Sequence, residues 1–600
     1  MANFVVVVDP DAERRWQFIN YIQPLLPPVD GLITHSCTIG NFHASWAVNR
    51  NAPISWVADA EGAAVIWGDA IPSHQSYPLD SQALRLLWKE SSPTALPAFD
   101  GFYAAVAYHP DLGLTVSADH LGLFPIYYYV TGDIALIAST PELFRHHPLF
   151  HTAFNPVGLV GILLSNCLFE GQTLWKNVQR LTASHALIWK PGTTPQQIQQ
   201  HKLLDERLFK FDDSLSFSEQ LDILDQALDK SLNLQVPAGK QYGLLLSGGL
   251  DSRMLAGFLH RQGIKPTTLS LGKRSDIEIE CALSVVRKLG LTNRIVAIAE
   301  DKYPAYANSL VKWEHLANGF NWVMNWGLEP HLSHFTPKVI NGYLMDLVLG
   351  GKIPYALESD NLCFENFFRG MNSWGLSPKL LEKLLRKEIF GELVAKTVAQ
   401  MRTVYESYSE LEFRKAWYFE IYHRQRFHVG SAGWQLCFGS WPIIPILDRQ
   451  LLAITAALPV ETITKRKAQI ELVCTRFPQL AQLPLDRNSF NVEPLLPSKS
   501  RQQFARLFNL QSRWRKRQQR LGYERRYYYR IYDINNLGWQ GIRQQAEPYR
   551  ERIEHLFHPE VLNKLLPAPN LPVQSSKDAI VGVSGIKALL GLMLWSKDNF

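Results

Sequence analysis

Short apolar runs separated by turn residues fill the first 190 positions: Phe4–Val8, Ala63–Trp67, Phe102–Tyr108, Leu114–Ser117, Ile126–Val130, Ala135–Ala138 and Ala186–Trp189. Runs of that length and spacing predict a layered, β-rich unit. The polar stretch Lys190–Gln200 reads as a linker or an exposed hairpin. From about residue 216 the period changes. Leu221, Leu224, Leu228 and Leu232 recur at helical spacing after Ser218, a residue type suited to capping a helix N-terminus. A strand at Leu244–Leu246, a helix from Met254, a strand at Thr267–Leu271, a helix at Glu278–Leu289 and a strand at Arg294–Ile298 then alternate. Such alternation predicts a parallel sheet with helices on both faces. Sheets of that kind bind ligands at the carboxyl ends of their strands.

At 600 residues the chain exceeds one core. The expected division is residues 1–200 and 215–600, with a basic helical insertion near 495–575. An apolar fraction of 46% and a charged fraction of 19% fit a soluble globular protein. The net charge of +6 is concentrated in residues 501–530, where ten Lys or Arg face one Glu. The rest is slightly acidic, so the whole is not a polyanion binder and no nucleic-acid partner is expected. In that basic stretch Trp514, Tyr523, Tyr527, Tyr528 and Tyr529 alternate with arginines. A nucleic-acid surface and a solvated helical face with inward aromatics both fit, the second being the more ordinary.

The six cysteines are scattered, without a CxxC pair, which predicts buried thiols in a reducing cytoplasm. The N-terminus lacks a basic leader, and the apolar run Ile580–Trp595 is short of a bilayer span and carries Lys587. A buried last helix, and no membrane partner, is the expectation.

One segment carries chemistry. Leu244-Leu245-Leu246 runs into Ser247-Gly248-Gly249-Leu250-Asp251-Ser252, followed by a helix. The two glycines permit close approach of backbone N–H groups to an anion. The hydroxyls of Ser247 and Ser252 and the positive helix end favour the same anion. Asp251 beside phosphate is repulsive unless a cation intervenes, which implies Mg²⁺. No Gly-Lys-Ser/Thr follows, so this is not a Walker loop; it resembles the loop of pyrophosphate-loop ATPases, which cleave ATP between its α and β phosphates.

Taken with the rest, the chain resembles the asparagine synthetase family, over nearly its whole length except for weaker stretches at 300–335, 355–420 and 495–575. The resemblance implies an N-terminal, β-rich αββα sandwich of the Ntn-hydrolase type, then a parallel-sheet, HUP-like pyrophosphate-loop ATPase domain with a helical C-terminal part: α+β followed by α/β. It implies ATP and Mg²⁺ as ligands. Leu245 and Leu271-Gly272, in the second strand segment Thr268–Gly272, would bracket the adenine, and Ser275-Asp276 with Glu280 is similar to the family's acidic turn. Val339–Gly351 resembles the segment Ser-Gly-x-Gly-x-Asp-Glu-x-x-Gly-Gly: Asn341 and Gly342 would touch ATP, and Asp346 would be the second Mg²⁺ carboxylate opposite Asp251. Here Tyr343 and Leu347 replace acidic residues. Pro445-Ile446-Leu447-Asp448 matches a further motif, and Arg487 stands where the family's phosphate-reaching Lys is expected, with Lys465, Arg466 and Lys467 as rival cations.

The glutaminase half departs further. Ala2 stands where the family has its nucleophilic Cys, and Trp67-Gly68-Asp69 replaces the Asn-Gly-Glu segment, whereas Asp100–Ala104 and Ala118–Tyr128 keep the scaffold pattern. The resemblance then implies a ligase that adenylates a small-molecule or peptide carboxylate and passes it to an amine. That amine would be ammonia or one within the substrate, as in the related β-lactam synthetases and lasso-peptide cyclases, with glutaminase activity absent. A precursor peptide, a carrier or a second copy of the chain are the partners left open, and a non-catalytic protein keeping the fold is the alternative.

Overall fold

The computed structural model describes residues 3–73, 75, 77–212, 214–351, 363–487, 490–497, 510, 513–514, 517, 526–574 and 581–600. Its first part is built from β1 (Asn3–Val8), β2 (Ile33–Ile39), β3 (Phe42–Val48), β4 (Ile54–Asp59), β5 (Gly62–Gly68), β6 (Tyr103–His109), β7 (Gly113–Ala118), β8 (Tyr127–Thr131), β9 (Ile134–Ala138), β10 (Gln179–Arg180), β11 (His185–Trp189) and β12 (Gln196–Gln199). They form two six-stranded antiparallel sheets, ordered β10-β8-β9-β1-β3-β2 and β12-β11-β7-β6-β5-β4.

The sheets face each other through stacked rings, Phe4 on Trp67 at 4.0 Å and Phe42 on Tyr108 at 5.1 Å. In β5, Ala63, Val65 and Trp67 point into that shared core, while Ala64 and Ile66 point outward beneath helix Ser81–Glu90 and its Leu84 and Trp88. A strand covered on both faces needs no polar alternation, which is why these runs read as continuously apolar. The two antiparallel layers with a helix outside are the expected sandwich. Of the two readings of Lys190–Gln200, the hairpin holds: β12 pairs with β11, and Trp189 Nε1 donates to Thr193 O at 3.1 Å.

The seven expected strands are all present. The pattern missed β2 and β4, which are partly exposed, the two-residue β10, and β3, which is buried throughout but interrupted by His43 and Ser45: β2 reads Ile-Thr-His-Ser-Cys-Thr-Ile with only Cys37 buried. In β3 the polar His43 is buried but satisfied, by Thr38 at 2.7 Å and Ser45 at 2.6 Å.

Helix Phe217–Gln235 starts two residues earlier than expected. Ser216, not Ser218, caps it, in a capping box with Glu219 whose carboxylate accepts the Ser216 N–H at 2.8 Å. Next come β13 (Tyr242–Leu245), β14 (Thr267–Leu271), β15 (Asn293–Val296), β16 (Ala317–Phe320), β17 (Lys338–Ile340) and β18 (Trp441–Ile443). Five of them make a wholly parallel sheet ordered β15-β14-β13-β17-β18. The third expected strand ends at Val296 rather than Ile298.

In this order the chain leaves β13 toward β14 on one side and enters β17 on the other. The sheet therefore has its topological switch point between β13 and β17, where ligands of open parallel sheets bind. Helix Ser584–Asn599 is buried along most of its length, as expected of the last apolar run. Among the described residues no helix is long and apolar enough to cross a membrane. The six cysteines form no disulfide; Cys363 and Cys474 are half-buried and the other four buried.

Polar contacts join the two parts. Lys338 of β17 pairs with Asp69. Arg449 donates Nε to Asp100 at 2.9 Å. Arg426 donates to the carbonyls of Gly122 and Leu181.

Candidate active site

β13 is buried at Leu244 and ends at Leu245, where the chain turns through Ser247-Gly248-Gly249 into helix Leu250–Arg261. The turn is held by its own hydroxyls. Ser247 N donates to Ser252 Oγ at 3.1 Å, the two hydroxyls meet at 3.0 Å, and Gly249 N donates to Ser247 Oγ at 3.2 Å. Gly249 occupies the N-cap without a capping side chain, so the first-turn N–H groups retain their positive end for an anion. Gly248 has to be glycine: a Cβ there would lie 2.5 Å from Cys281 Cβ and 2.7 Å from Glu278 O. Beneath the turn, fully buried Arg253 donates to Leu480 O at 2.9 Å and to Leu483 O at 3.0 Å. Burial pushes its guanidinium down to about 10.

The loop after β17 comes against this turn. A Cβ on Gly342 would sit 2.9 Å from Asp251 Cβ, so the glycine is what lets the two segments touch. Asn341 is fixed from both sides, its N–H donating to Ile443 O at 3.0 Å and its Oδ1 accepting from Tyr343 N at 3.1 Å. Asp346 opens the short helix Met345–Val348 and accepts from Leu347 N at 2.9 Å. Gly350 and Gly351 also have a steric reason. Cβ atoms there would lie 2.1 Å from Ile463 O and 2.6 Å from Arg466 Cδ. The pair makes room for the turn Ile463–Arg466, which delivers Arg466 to Asp251 as an ion pair.

A cavity of about 800 Å³ opens at this junction. Ten of the twelve residues singled out from sequence line it: Leu245, Ser247, Gly249, Asp251, Ser252, Leu271, Asn341, Gly342, Asp346 and Arg487. Gly248 lies behind the turn. Gly272 (φ +136°) packs on Asp276, where a Cβ would meet Oδ2 at 2.6 Å. Asp251 and Asp346 offer hard carboxylate oxygens on one cavity, a donor set that suits Mg²⁺ shared with phosphate. No cluster of three or more His, Cys, Asp or Glu suited to a metal occurs among the described residues.

Two of the candidate cations, Arg466 and Arg487, line the cavity. Arg487 is exposed and donates to Glu493 O at 3.2 Å, while Lys467 lies over the Phe217 ring at 4.3 Å. Arg466 reaches the loop carboxylate of Asp251. Tyr343, at a position acidic in the family pattern, lines the cavity, and burial pushes its phenol up. Leu347, the other replacement, is core, its carbonyl accepting from Trp417 Nε1 at 3.1 Å.

Most of the basic stretch, including Tyr523, lies outside the described residues, as does Ala2. Its end, 526–530, is not a solvated face. Arg526 is fully buried between Asp486 at 2.6 Å and Glu278 at 3.3 Å, and Arg530 grips Asp276 through two 2.8 Å bonds. Tyr527, Tyr528 and Tyr529 line the cavity. Burial raises the Glu278 carboxyl, against the opposing pull of Arg526. These partners escaped the sequence because the pairs lie 40 positions apart for Arg526–Asp486 and some 250 for the other two.

In the first part, the positions aligned with glutaminase chemistry serve packing and docking. Trp67 stacks on Phe4, Asp69 binds Lys338, and Asp119 accepts three backbone N–H bonds from Leu121, Leu123 and Phe124. Cys37 is buried in β2, and burial pushes its thiol up to about 11.

The asparagine synthase family profile matches residues 223–428, and that of the glutamine amidotransferase domain matches residues 76–200. No curated protein sequence matches. Among solved structures, NMN synthetase from Francisella tularensis is 19% identical over 23% of this chain and 58% of its own, at a TM-score of 0.17. The allosteric regulatory enzyme of purine biosynthesis is 11% identical over 50% of this chain and 80% of its own, at 0.23. Glutamine PRPP amidotransferase from B. subtilis, complexed with ADP and GMP, is 10% identical over 50% and 81%, at 0.22. Scores this low carry no weight for chemistry.

Proposed function

Because the chain belongs to the asparagine synthetase family, we propose that it is an ATP-dependent, amide-forming ligase that activates a carboxylate as its adenylate. The observation that carries this reading is the meeting of the Ser247–Ser252 turn and the Asn341–Asp346 loop at the sheet's switch point, with both aspartates on one cavity.

In the proposed reaction a substrate carboxylate oxygen attacks the α-phosphorus of ATP, the α–β bridge breaks, and pyrophosphate leaves. The N–H groups and hydroxyls of the turn hold the departing diphosphate, and Arg466 and Arg487 are the cations placed to offset its charge. Mg²⁺, held by Asp251 and Asp346, would supply further neutralisation of the diphosphate. An amine then attacks the acyl carbon, AMP leaves with the electron pair of the broken bond, and a proton is released. Most of the gain comes from positioning and fixed charge.

The amine is ammonia or belongs to the substrate. Supporting this are Trp67 on Phe4, where the family pattern has a polar oxyanion residue, and a Cys37 thiol far from ionisation. The test is pyrophosphate release by the pure protein with ATP, Mg²⁺ and a panel of acids and amines, alongside glutamate release from glutamine. Acid-dependent pyrophosphate without glutaminase turnover is the expected result.

One observation favours a second reading, that of a nucleotide-binding protein without turnover: the family's acidic position is here Leu347, committed to the core. Binding of a non-hydrolysable ATP analogue with no pyrophosphate from any acid would select it.

A further inference from the structure

The second wall of the cavity is of a different character from the nucleotide turn. It is supplied by helix Arg426–Leu436, by the residues just before it, and by the segment that follows β16. Residues Glu420–Gln425 form a π-helical turn, a local widening often found where side chains must be re-aimed at a site. Consecutive Arg424 and Gln425 both face the cavity from it, one turn before His428.

Three buried residues with N–H donors line the cavity. Arg424 is 8% exposed, stacked over Trp374 at 4.5 Å, with Glu420 3.4 Å from its Nε. Gln425 is 1% exposed, and its Nε2 has no hydrogen-bond partner. On the same cavity Asn341, equally buried, has an unpartnered Nδ2. Buried amide donors without acceptors are costly, and an oxygen anion would satisfy the Gln425 amide while sharing the guanidinium that Glu420 already approaches. The surrounding side chains are flat or apolar: Trp322, Met324, Trp374 and Tyr528. Trp322 is held by its Nε1–H, which donates to His428 Nδ1 at 2.7 Å, with the two rings tilted at 50°.

We propose that this wall is the acceptor compartment, and that it selects a carboxylic acid with an aromatic or flat apolar body, gripped by Arg424 and Gln425. The proposal rests on the ligase reading for the acid's role as substrate, but not for its binding. Aspartate would bring two carboxylates and an ammonium against four apolar side chains, which the compartment does not match. A volume of about 800 Å³ lies at the upper end of small-molecule pockets and leaves room for an acid beside a nucleotide.

Calorimetric titration of the full-length protein with phenylacetate, 2-naphthylacetate, 2-naphthaleneethanol and L-aspartate tests this, with a non-hydrolysable ATP analogue titrated in parallel. The aromatic acids should bind about tenfold or more tighter than aspartate or the alcohol. Arg424→Met and the near-isosteric Gln425→Leu should each weaken them about tenfold while changing analogue affinity less than about twofold. Preference for aspartate, equal binding of the alcohol, no binding of either aromatic acid, or an unchanged affinity in Gln425→Leu would overturn the assignment. Aromatic-acid binding without pyrophosphate release leaves the compartment standing and removes the ligase. Pyrophosphate release driven by aspartate does the reverse.

Discussion

Arg466 reaches back across 215 positions of sequence to hold the carboxylate of Asp251, and Gln469 donates to the same oxygen at 2.8 Å. A carboxylate set among phosphate-seeking N–H groups needs a positive neighbour, and in this chain a residue in a left-handed backbone (φ +61°) provides it. Such a conformation costs a non-glycine residue about 1–2 kcal/mol. Replacing Asp251 with Asn should lower pyrophosphate release about a hundredfold or more, and Arg466→Met about tenfold or more. Both side chains are about one-quarter exposed, so thermal stability should change by less than about 1 kcal/mol. A coupled pyrophosphate assay and a melting curve on the same preparations check both halves.

Gly342→Ala should act on the same carboxylate from behind. Its new methyl would stand 2.9 Å from Asp251 Cβ, forcing the turn aside at a cost of about 1–3 kcal/mol. Gly249→Ala meets only the Ser247 hydroxyl, at 3.3 Å, and is the milder change. Titration with an ATP analogue should rank affinity as wild type, then Gly249→Ala, then Gly342→Ala.

Asp100 binds Arg449 through the backbone N–H at 3.0 Å and Nε at 2.9 Å, both side chains nearly buried. Asp100→Ala leaves the guanidinium without its carboxylate and should cost about 3–5 kcal/mol, seen as a lower unfolding midpoint. Glutamine turnover should be absent before and after the change. Glutaminase activity that depends on this carboxylate would contradict the docking role.

Lys587 gives a pH signature. Burial pushes its ammonium down to about 7, although Nζ donates to Tyr532 O at 2.7 Å and sits 4.1 Å from the Trp539 ring. Between pH 7 and the ordinary lysine value of 10.5 the unfolded chain binds this proton and the folded chain does not. Stability should therefore rise with pH through that window, by at most about 1.4 kcal/mol per unit, and be independent of this group below it. Lys587→Met should remove that slope. Denaturant midpoints of both proteins at pH 7 and 9.5 measure the difference.

The turn around Asp251 was legible because its chemistry is local: strand, glycines, hydroxyls and carboxylate follow one another, and one Cβ clash accounts for Gly248. Asp346 was picked out by the resemblance of Val339–Gly351 to a family motif, and it lines the same cavity. Arg466 was not, since Lys465, Arg466 and Lys467 are equivalent on paper and only the close passage over Gly350-Gly351 selects one of them. Ser216 escaped because Ser218 also precedes the leucine repeat, and the reciprocal bond with Glu219 decides between them. Arg526 and Arg530 read as surface charge, because their acidic partners lie on another helix and another loop.

Lys338, bound to Asp69, stands in β17 three positions ahead of Asn341. A fragment lacking the first 200 residues would expose that strand's lysine together with Arg449 and Arg426, each stripped of its counterpart. The first part is thereby retained as masonry: deleting it would undermine the very sheet that shapes the Ser247–Ser252 turn.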